Sequence, residues 1–191
     1  MSSKLVAPHG GKGLVCALLE GSEREAELKK AKGLKQVEIS PRAKGDLIMM
    51  GIGGFSPLSG FMSKADWKGV CEKFQLADGT FWPVPITLDV SKAAADAIKV
   101  GAELALVREG ETYATMKVTE KYEMTEADKK WECEKVFKGH GEESADDKFW
   151  EIAPKDHPGV IMVMGQKEVN LAGPVKVLSE GEYPKEYPGV Y

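Results

Sequence analysis

The sequence predicts an α+β domain, and three observations carry that expectation. Its 191 residues, 42% hydrophobic and 29% charged, are enough for one domain with a real core, and no low-complexity tract interrupts them. Helix-start signals recur along the chain, each followed by apolar residues at helical spacing. Between them lie short β-rich runs, two of which flank a Gly-containing turn.

In chain order, residues 22–32 read as a charged surface helix, with Ser22 and Glu25 as a capping box and Gly33 as the stop. Residues 35–39 alternate like a strand. Ser40-Pro41 then supplies an N-cap and an N1 proline to a helix running towards Met50, and residues 51–62 interrupt regular structure. From Ser63 a further helix follows, because Asp66 stands three residues after the cap and Trp67, Val70, Cys71 and Phe74 share one apolar face.

Residues 81–90, with Pro83 and Pro85, suggest an extended strand at an edge or one with a bulge, and residues 89–100 a short Ala-rich helix. Residues 103–107 and 112–118 around Arg108-Glu109-Gly110-Glu111 form the natural hairpin. Thr125 with Asp128 starts a helix through Trp131, Lys135 and Val136, and residues 138–147 read as a mobile polar loop. Residues 159–164 and 168–178 read as a closing pair of strands. The composition then changes: residues 179–190, with Gly181, Pro184, Pro188 and Gly189, read as a linker, giving a domain over 1–178 and a linker over 179–191.

Composition excludes several functions. A net charge of -4 with interspersed signs argues against a phosphate-backbone binder. No signal peptide is legible in the first fourteen residues and no apolar run is long enough to span a bilayer, so a cytoplasmic setting without membrane contact is expected. Cys16, Cys71 and Cys133 are far apart and read as reduced thiols, and His9, His140 and His157 show no ligand spacing, so no metal is expected.

Two glycine-rich segments invite a nucleotide reading and fail it. Pro8-His9-Gly10-Gly11-Lys12-Gly13 lacks the spacing and the Ser or Thr of a phosphate loop. Gly51-Ile52-Gly53-Gly54 starts like a dinucleotide fingerprint, but Ser56 takes the third glycine position and Pro57 follows. Phe55, Pro57, Leu58, Phe61 and Met62 instead suggest a close-packed loop with exposed or semi-buried apolar groups, as at an interface. His157, in Asp156-His157-Pro158-Gly159, reads as a turn histidine bonded to backbone.

Gly54-Phe55-Ser56-Pro57-Leu58-Ser59-Gly60-Phe61-Met62 resembles the signature of the N-terminal domain of the sulfate adenylyltransferase (ATP sulfurylase) family. Similar segments recur in order at residues 5–11 (LVAPHGG), 76–90 (LADGTFWPVPITLDV), 156–160 (DHPGV) and 173–178 (GPVKVL), so the resemblance covers essentially the whole chain. Residues 44–60 and 117–138 are most similar to the enzymes of sulfate-reducing bacteria. The resemblance implies a PUA-like fold with a mixed β-barrel core and flanking helices. Periodicity alone yields only α+β.

The resemblance also implies a reaction, in which ATP and sulfate give adenosine 5'-phosphosulfate and pyrophosphate, with Mg2+ accompanying ATP. In the family that chemistry belongs to a following nucleotidyltransferase domain with a Gln-x-Arg-Asn-Pro segment and a His-x-x-His pair, and neither occurs in residues 1–191. On this resemblance no residue here inherits a catalytic role, and the chain alone is expected to be inactive and to bind no cofactor. The implied partner is the catalytic domain of the same enzyme, a homo-oligomer at full length. Phe55, Pro57, Leu58, Phe61 and Met62 are the candidate interdomain contact, and the segment bearing Tyr183, Tyr187 and Tyr191 the candidate hinge. The alternative is a freestanding PUA-like RNA-binding or oligomerisation module.

Overall fold

The computed structural model describes residues 6–11, 13–138 and 157–181. Seven strands are present among them: β1 (Lys35–Glu38), β2 (Gly60–Phe61), β3 (Leu88–Val90), β4 (Glu103–Arg108), β5 (Glu111–Lys117), β6 (Glu120–Glu123) and β7 (Val169–Val177). The helices are α1 (Gly21–Ala31), α2 (Pro41–Gly51), α3 (Lys64–Lys73), α4 (Lys92–Asp96), α5 (Glu126–Lys138) and α6 (Pro158–Met164). The expected α+β class is what the chain adopts, as a curled mixed sheet flanked by helices.

β7 organises the sheet. Its first half pairs antiparallel with β3 (Leu88 opposite Leu171) and β6 (Lys121 opposite Leu171), and its second half with β2 (Phe61 opposite Gly173) and β5 (Thr115 opposite Lys176). The exchange of partners falls at Gly173, whose φ of +147° disfavours any residue with a side chain. A Cβ there would lie 2.0 Å from the Lys117 carbonyl oxygen, and one on Gly60 2.0 Å from that of Gly173. Two glycines therefore let three backbone segments cross closely enough for the sheet to curl. The sheet continues from β5 to β4 and ends with β1, which runs parallel to β4.

Alternation along β7 divides the core. Leu171 joins Leu47, Met50, Leu88, Leu106, Met116 and Val177 in the main cluster, while Ala172 faces Trp67, Cys71, Tyr122 and Met124 under α3 and α5. A third cluster, of Ala31, Ala105, Val107 and Leu178, lies beneath α1.

Local chemistry accounts for most boundaries. The Ser40, Ser63 and Ser91 hydroxyls accept from the N–H three residues on, starting α2, α3 and α4, and Thr125 does the same for Asp128 at α5. The hairpin turns at Glu109 and Gly110, both with positive φ, as a two-residue loop matching the strand twist requires.

Three expectations are corrected. Residues 159–164 form α6, not a strand, because His157 Nδ1 accepts from the N–H groups of Gly159 and Val160 and Pro158 presets the first turn. A short apolar run cannot declare its own period. Of residues 81–90 only Leu88–Val90 join the sheet, since Pro83 and Pro85 have no N–H to donate. Ser22 does not cap α1: the helix begins one residue earlier, and its N-cap position, Glu20, makes no side-chain cap bond.

The backbone stays bonded to the fold as far as Gly181. Arg24 Nε donates to the Leu178 carbonyl at 2.6 Å, Ser179 is buried with its hydroxyl on Glu111, and Gly181 N–H donates to Ser179 Oγ. Tyr183, Tyr187, Tyr191 and the segment 139–156, with most of the expected mobile loop, lie outside the described residues. No helix among the described residues is long and apolar enough to cross a membrane.

Candidate functional site

The loop between α2 and β2 was singled out by sequence, and the structure shows how its residues are used. Buried Ser56 ties it down: its hydroxyl donates to the Gly53 carbonyl at 2.7 Å and accepts the Val15 N–H at 2.9 Å. Residues 13–16 are thereby laid across the loop. Gly53 makes room for them, since a Cβ there would fall 2.9 Å from Leu14 Cγ and 3.0 Å from Cys16 Sγ. Gly54 does the same for Met49, whose Cε would stand 2.5 Å from an added Cβ.

On the other side of the loop, half-buried Phe55 meets Trp82 edge-on at 5.8 Å, and half-buried Pro57 packs against Gly10 and, through it, Thr80. His9 Nε2 lies 2.6 Å from the Phe81 carbonyl oxygen. Residues 8–11, 13–16, 51–57 and 80–82, which are distant in sequence, thus form one surface.

Three of the five apolar residues in the candidate contact are not presented outwards. Leu58, Phe61 and Met62 are buried in the domain's own core, because β2 pairs with β7 and carries them inward. Met62 is held further by the Ile86 N–H on its sulfur and by the Tyr122 hydroxyl on its carbonyl. The exposed apolar groups of this surface are Leu14, Met49, Ile52 and Phe81, which the sequence reading did not single out as exposed. For Leu14 and Met49 the signal was available in the Gly53-Gly54 pair, which permits side chains to rest on backbone.

A cleft of about 380 Å3 runs beside the loop, between residues 57–63 and Gly173-Pro174. It is lined by two carboxylates: Asp66, with one oxygen accepting from Ser63 Oγ at 2.7 Å and the other from the Ala77 N–H at 2.9 Å, and Asp78, whose Oδ1 accepts the Thr80 N–H at 3.0 Å. The capping box and a loop closure consume Asp66, and Asp78 is bonded within its own turn.

The arginines are similarly committed. All three arginines donate to backbone carbonyls far away in sequence: Arg24 to Leu178 at 2.6 Å, Arg42 to Thr87 at 2.9 Å and Arg108 to Ile39 at 3.0 Å. They clamp the fold rather than face a phosphate or sulfate. Burial pushes the Cys71 thiol far up and the Cys133 thiol to about 11, so neither supplies a thiolate nucleophile. His157 caps a helix. Among the described residues no group of three His, Cys, Asp or Glu side chains could hold a metal ion. What the surface offers is packing.

A family model described as a PUA-like domain matches residues 6–180. The chain belongs to the PUA-like domain family. Its relatives within that setting are sulfate adenylyltransferases: that of Desulfovibrio desulfuricans is 75% identical over 189 residues, covering 99% of this chain and 44% of the relative. The enzyme of Desulfatibacillum aliphaticivorans is 70% identical over 99% of this chain and 45% of its own length, and that of Chlorobaculum tepidum 54% identical over 98% and 43%. This PUA-like chain therefore spans less than half the length of these relatives. Among solved structures it is similar to a hexameric APS kinase from Thiobacillus denitrificans, with a TM-score of 0.65 and 25% identity over 95% of this chain and 28% of that one.

Proposed function

We propose that the chain is the N-terminal, non-catalytic PUA-like part of a cytoplasmic sulfate adenylyltransferase, the enzyme that makes adenosine 5'-phosphosulfate and pyrophosphate from ATP and sulfate. One observation carries the reading: nearly the whole chain is 75% identical to less than half of such an enzyme. The site geometry agrees, since the arginines are spent on backbone carbonyls and the buried thiols are silenced. Adenylyl transfer to sulfate depends on cationic positioning of phosphates, which the remaining half of the enzyme supplies together with ATP and its Mg2+.

In this reading the domain supports that remaining half. Phe55 and Pro57 make direct interdomain contact, and Leu58, Phe61 and Met62 fix the loop from within. The segment 183–191, with Tyr183, Tyr187 and Tyr191, forms the hinge, and the full-length enzyme is a homo-oligomer.

Mixing the isolated chain with adenosine 5'-phosphosulfate, pyrophosphate and Mg2+ tests the reading. No ATP should form, whereas the full-length polypeptide should produce it readily. Turnover by the 191-residue chain would overturn the non-catalytic assignment.

A further inference from the structure

Single exposed apolar residues are ordinary on a protein surface, but a contiguous group on a fixed backbone is not. Leu14 is 62% exposed, Met49 37% and Ile52 41%, and Cys16 is exposed beside them. Gly53 and Gly54 bring them together, as the close approaches of Leu14, Cys16 and Met49 show. Backbone bonds then fix the group to the fold: Ala17 N–H to the Met50 carbonyl at 3.0 Å, Leu18 N–H to Gly51 and Val177 N–H to Ala17 at 2.8 Å.

The segments that carry the patch are uncharged. No Asp, Glu, Lys, Arg or His occurs in residues 13–19 or 47–63, although 29% of the chain is charged. Such a face has nothing to offer a nucleic acid or an acidic peptide. It matches an apolar protein surface, where charged residues are depleted at the centre.

The patch also adjoins the end of β7. Val177, at the end of β7, is bonded to Ala17 and Leu19, and a Cβ on Gly51 would meet Val177 Cγ1 at 3.2 Å. Four residues on, a Cβ on Gly181 would stand 3.3 Å from Lys44 Cε on α2, the helix that also carries Met49. The relatives are more than twice as long as this chain, so further polypeptide is available to cover this face.

Resting on the reading proposed above, we infer that the uncharged face formed by Leu14, Cys16, Met49 and Ile52 is the docking surface for the remainder of the longer polypeptide. It extends the Phe55–Pro57 contact towards the end of β7, and its partner surface is apolar and uncharged.

Cys16 is a built-in reporter. Iodoacetamide labelling, followed peptide by peptide with hydrogen exchange over residues 6–181, is compared between this 191-residue chain and the full-length polypeptide. Cys16 should react roughly ten-fold or more slowly in the longer protein, with amides of residues 47–56 slowed as well. Leu14→Asp in the full-length protein should return Cys16 labelling to the rate of the short chain, and Val100→Asp, placed elsewhere on an exposed site, should not. Equal Cys16 rates in both proteins, with slowing confined to another surface, would overturn this inference and leave the proposed function standing. Slowing that appears in the short chain as its concentration rises would assign the face to a second copy instead. A native gene that stops at Tyr191, or no slowing anywhere, would overturn both.

Discussion

The first two helices each carry a carboxylate less than a tenth exposed, and the two have opposite fates. Glu27 on α1 accepts Thr115 Oγ1 at 2.8 Å, Lys176 Nζ at 3.0 Å and Lys30 Nζ at 3.3 Å. Burial alone would push its carboxyl up, but these donors outweigh it and hold it below the ordinary value. Asp46 on α2 has no hydrogen-bond partner for Oδ2 among the described residues, and burial pushes it up to about 6 against the pull of Arg42. The α1 side is closed within the domain. The α2 side leaves a polar atom unmet inside and Met49 and Ile52 exposed outside, which is what a face reserved for a partner looks like.

Both sides depend on β7, so the largest effect should come from breaking it. Gly173→Ala places a Cβ 2.0 Å from the Lys117 carbonyl oxygen at a φ of +147°. A loss of about 4 kcal/mol or more is expected, read by urea unfolding or as failure to fold. An alanine variant of near-normal stability would show that the strand crossing is looser than described here.

Glu27→Ala tests the closed side. It leaves buried Thr115 without its acceptor and Lys176 without its carboxylate, and should cost about 1–3 kcal/mol at pH 7. The sign with pH is fixed by the lowered pKa. The unfolded chain binds the proton more readily, so the contribution is complete above the ordinary value of 4.5 and disappears as pH falls through the lower folded value. The gap between wild type and variant should therefore narrow in acid. A gap independent of pH would mean that packing, not charge, holds Glu27.

How much of this asymmetry was legible in the sequence follows from which interactions are local. Ser40-Pro41, Ser63 with Asp66, Thr125 with Asp128 and Glu109-Gly110 each complete their bonds within a few residues, so helix starts and the hairpin could be read directly. The role of β7 could not, because Gly60 and Gly173 show their purpose only when their carbonyls and Cα atoms meet across more than a hundred residues. The same holds for the site. The loop was recognisable by its residues, but Leu58, Phe61 and Met62 turn inward because β2 pairs with β7, and Leu14 reaches the surface patch through one hydroxyl, Ser56, of a distant segment. Residues 159–164 failed differently: Val160, Ile161, Met162 and Val163 suit a strand or a helix, and the cap at His157 decided between them.

Asp46→Asn probes the open side and should move stability the other way. The folded state raises this carboxyl from 3.8 to about 6, so it retains its proton where the unfolded chain has lost it. Stability therefore falls as pH rises from about 4 to 6 and stays lower above that. The asparagine variant should be flat across this window and more stable than wild type at pH 7.5 by about 1–3 kcal/mol in urea unfolding. A destabilised variant would show that Asp46 is ionised and paired, and that α2 is as closed as α1.

The smallest expected effect is the most telling for the patch. Leu14 is 62% exposed and its backbone, not its side chain, is fixed by the neighbouring Val15–Ser56 bond, so Leu14→Ser should change the stability of this chain by less than about 0.5 kcal/mol. The side chain rests on Gly53 without being enclosed, and little apolar area leaves water there. A loss above about 1 kcal/mol would make Leu14 part of the domain's own cover over the glycine loop. A neutral result, beside a restored Cys16 reactivity in the full-length Leu14→Asp protein, separates a surface kept for another part of the polypeptide from one that merely completes this fold.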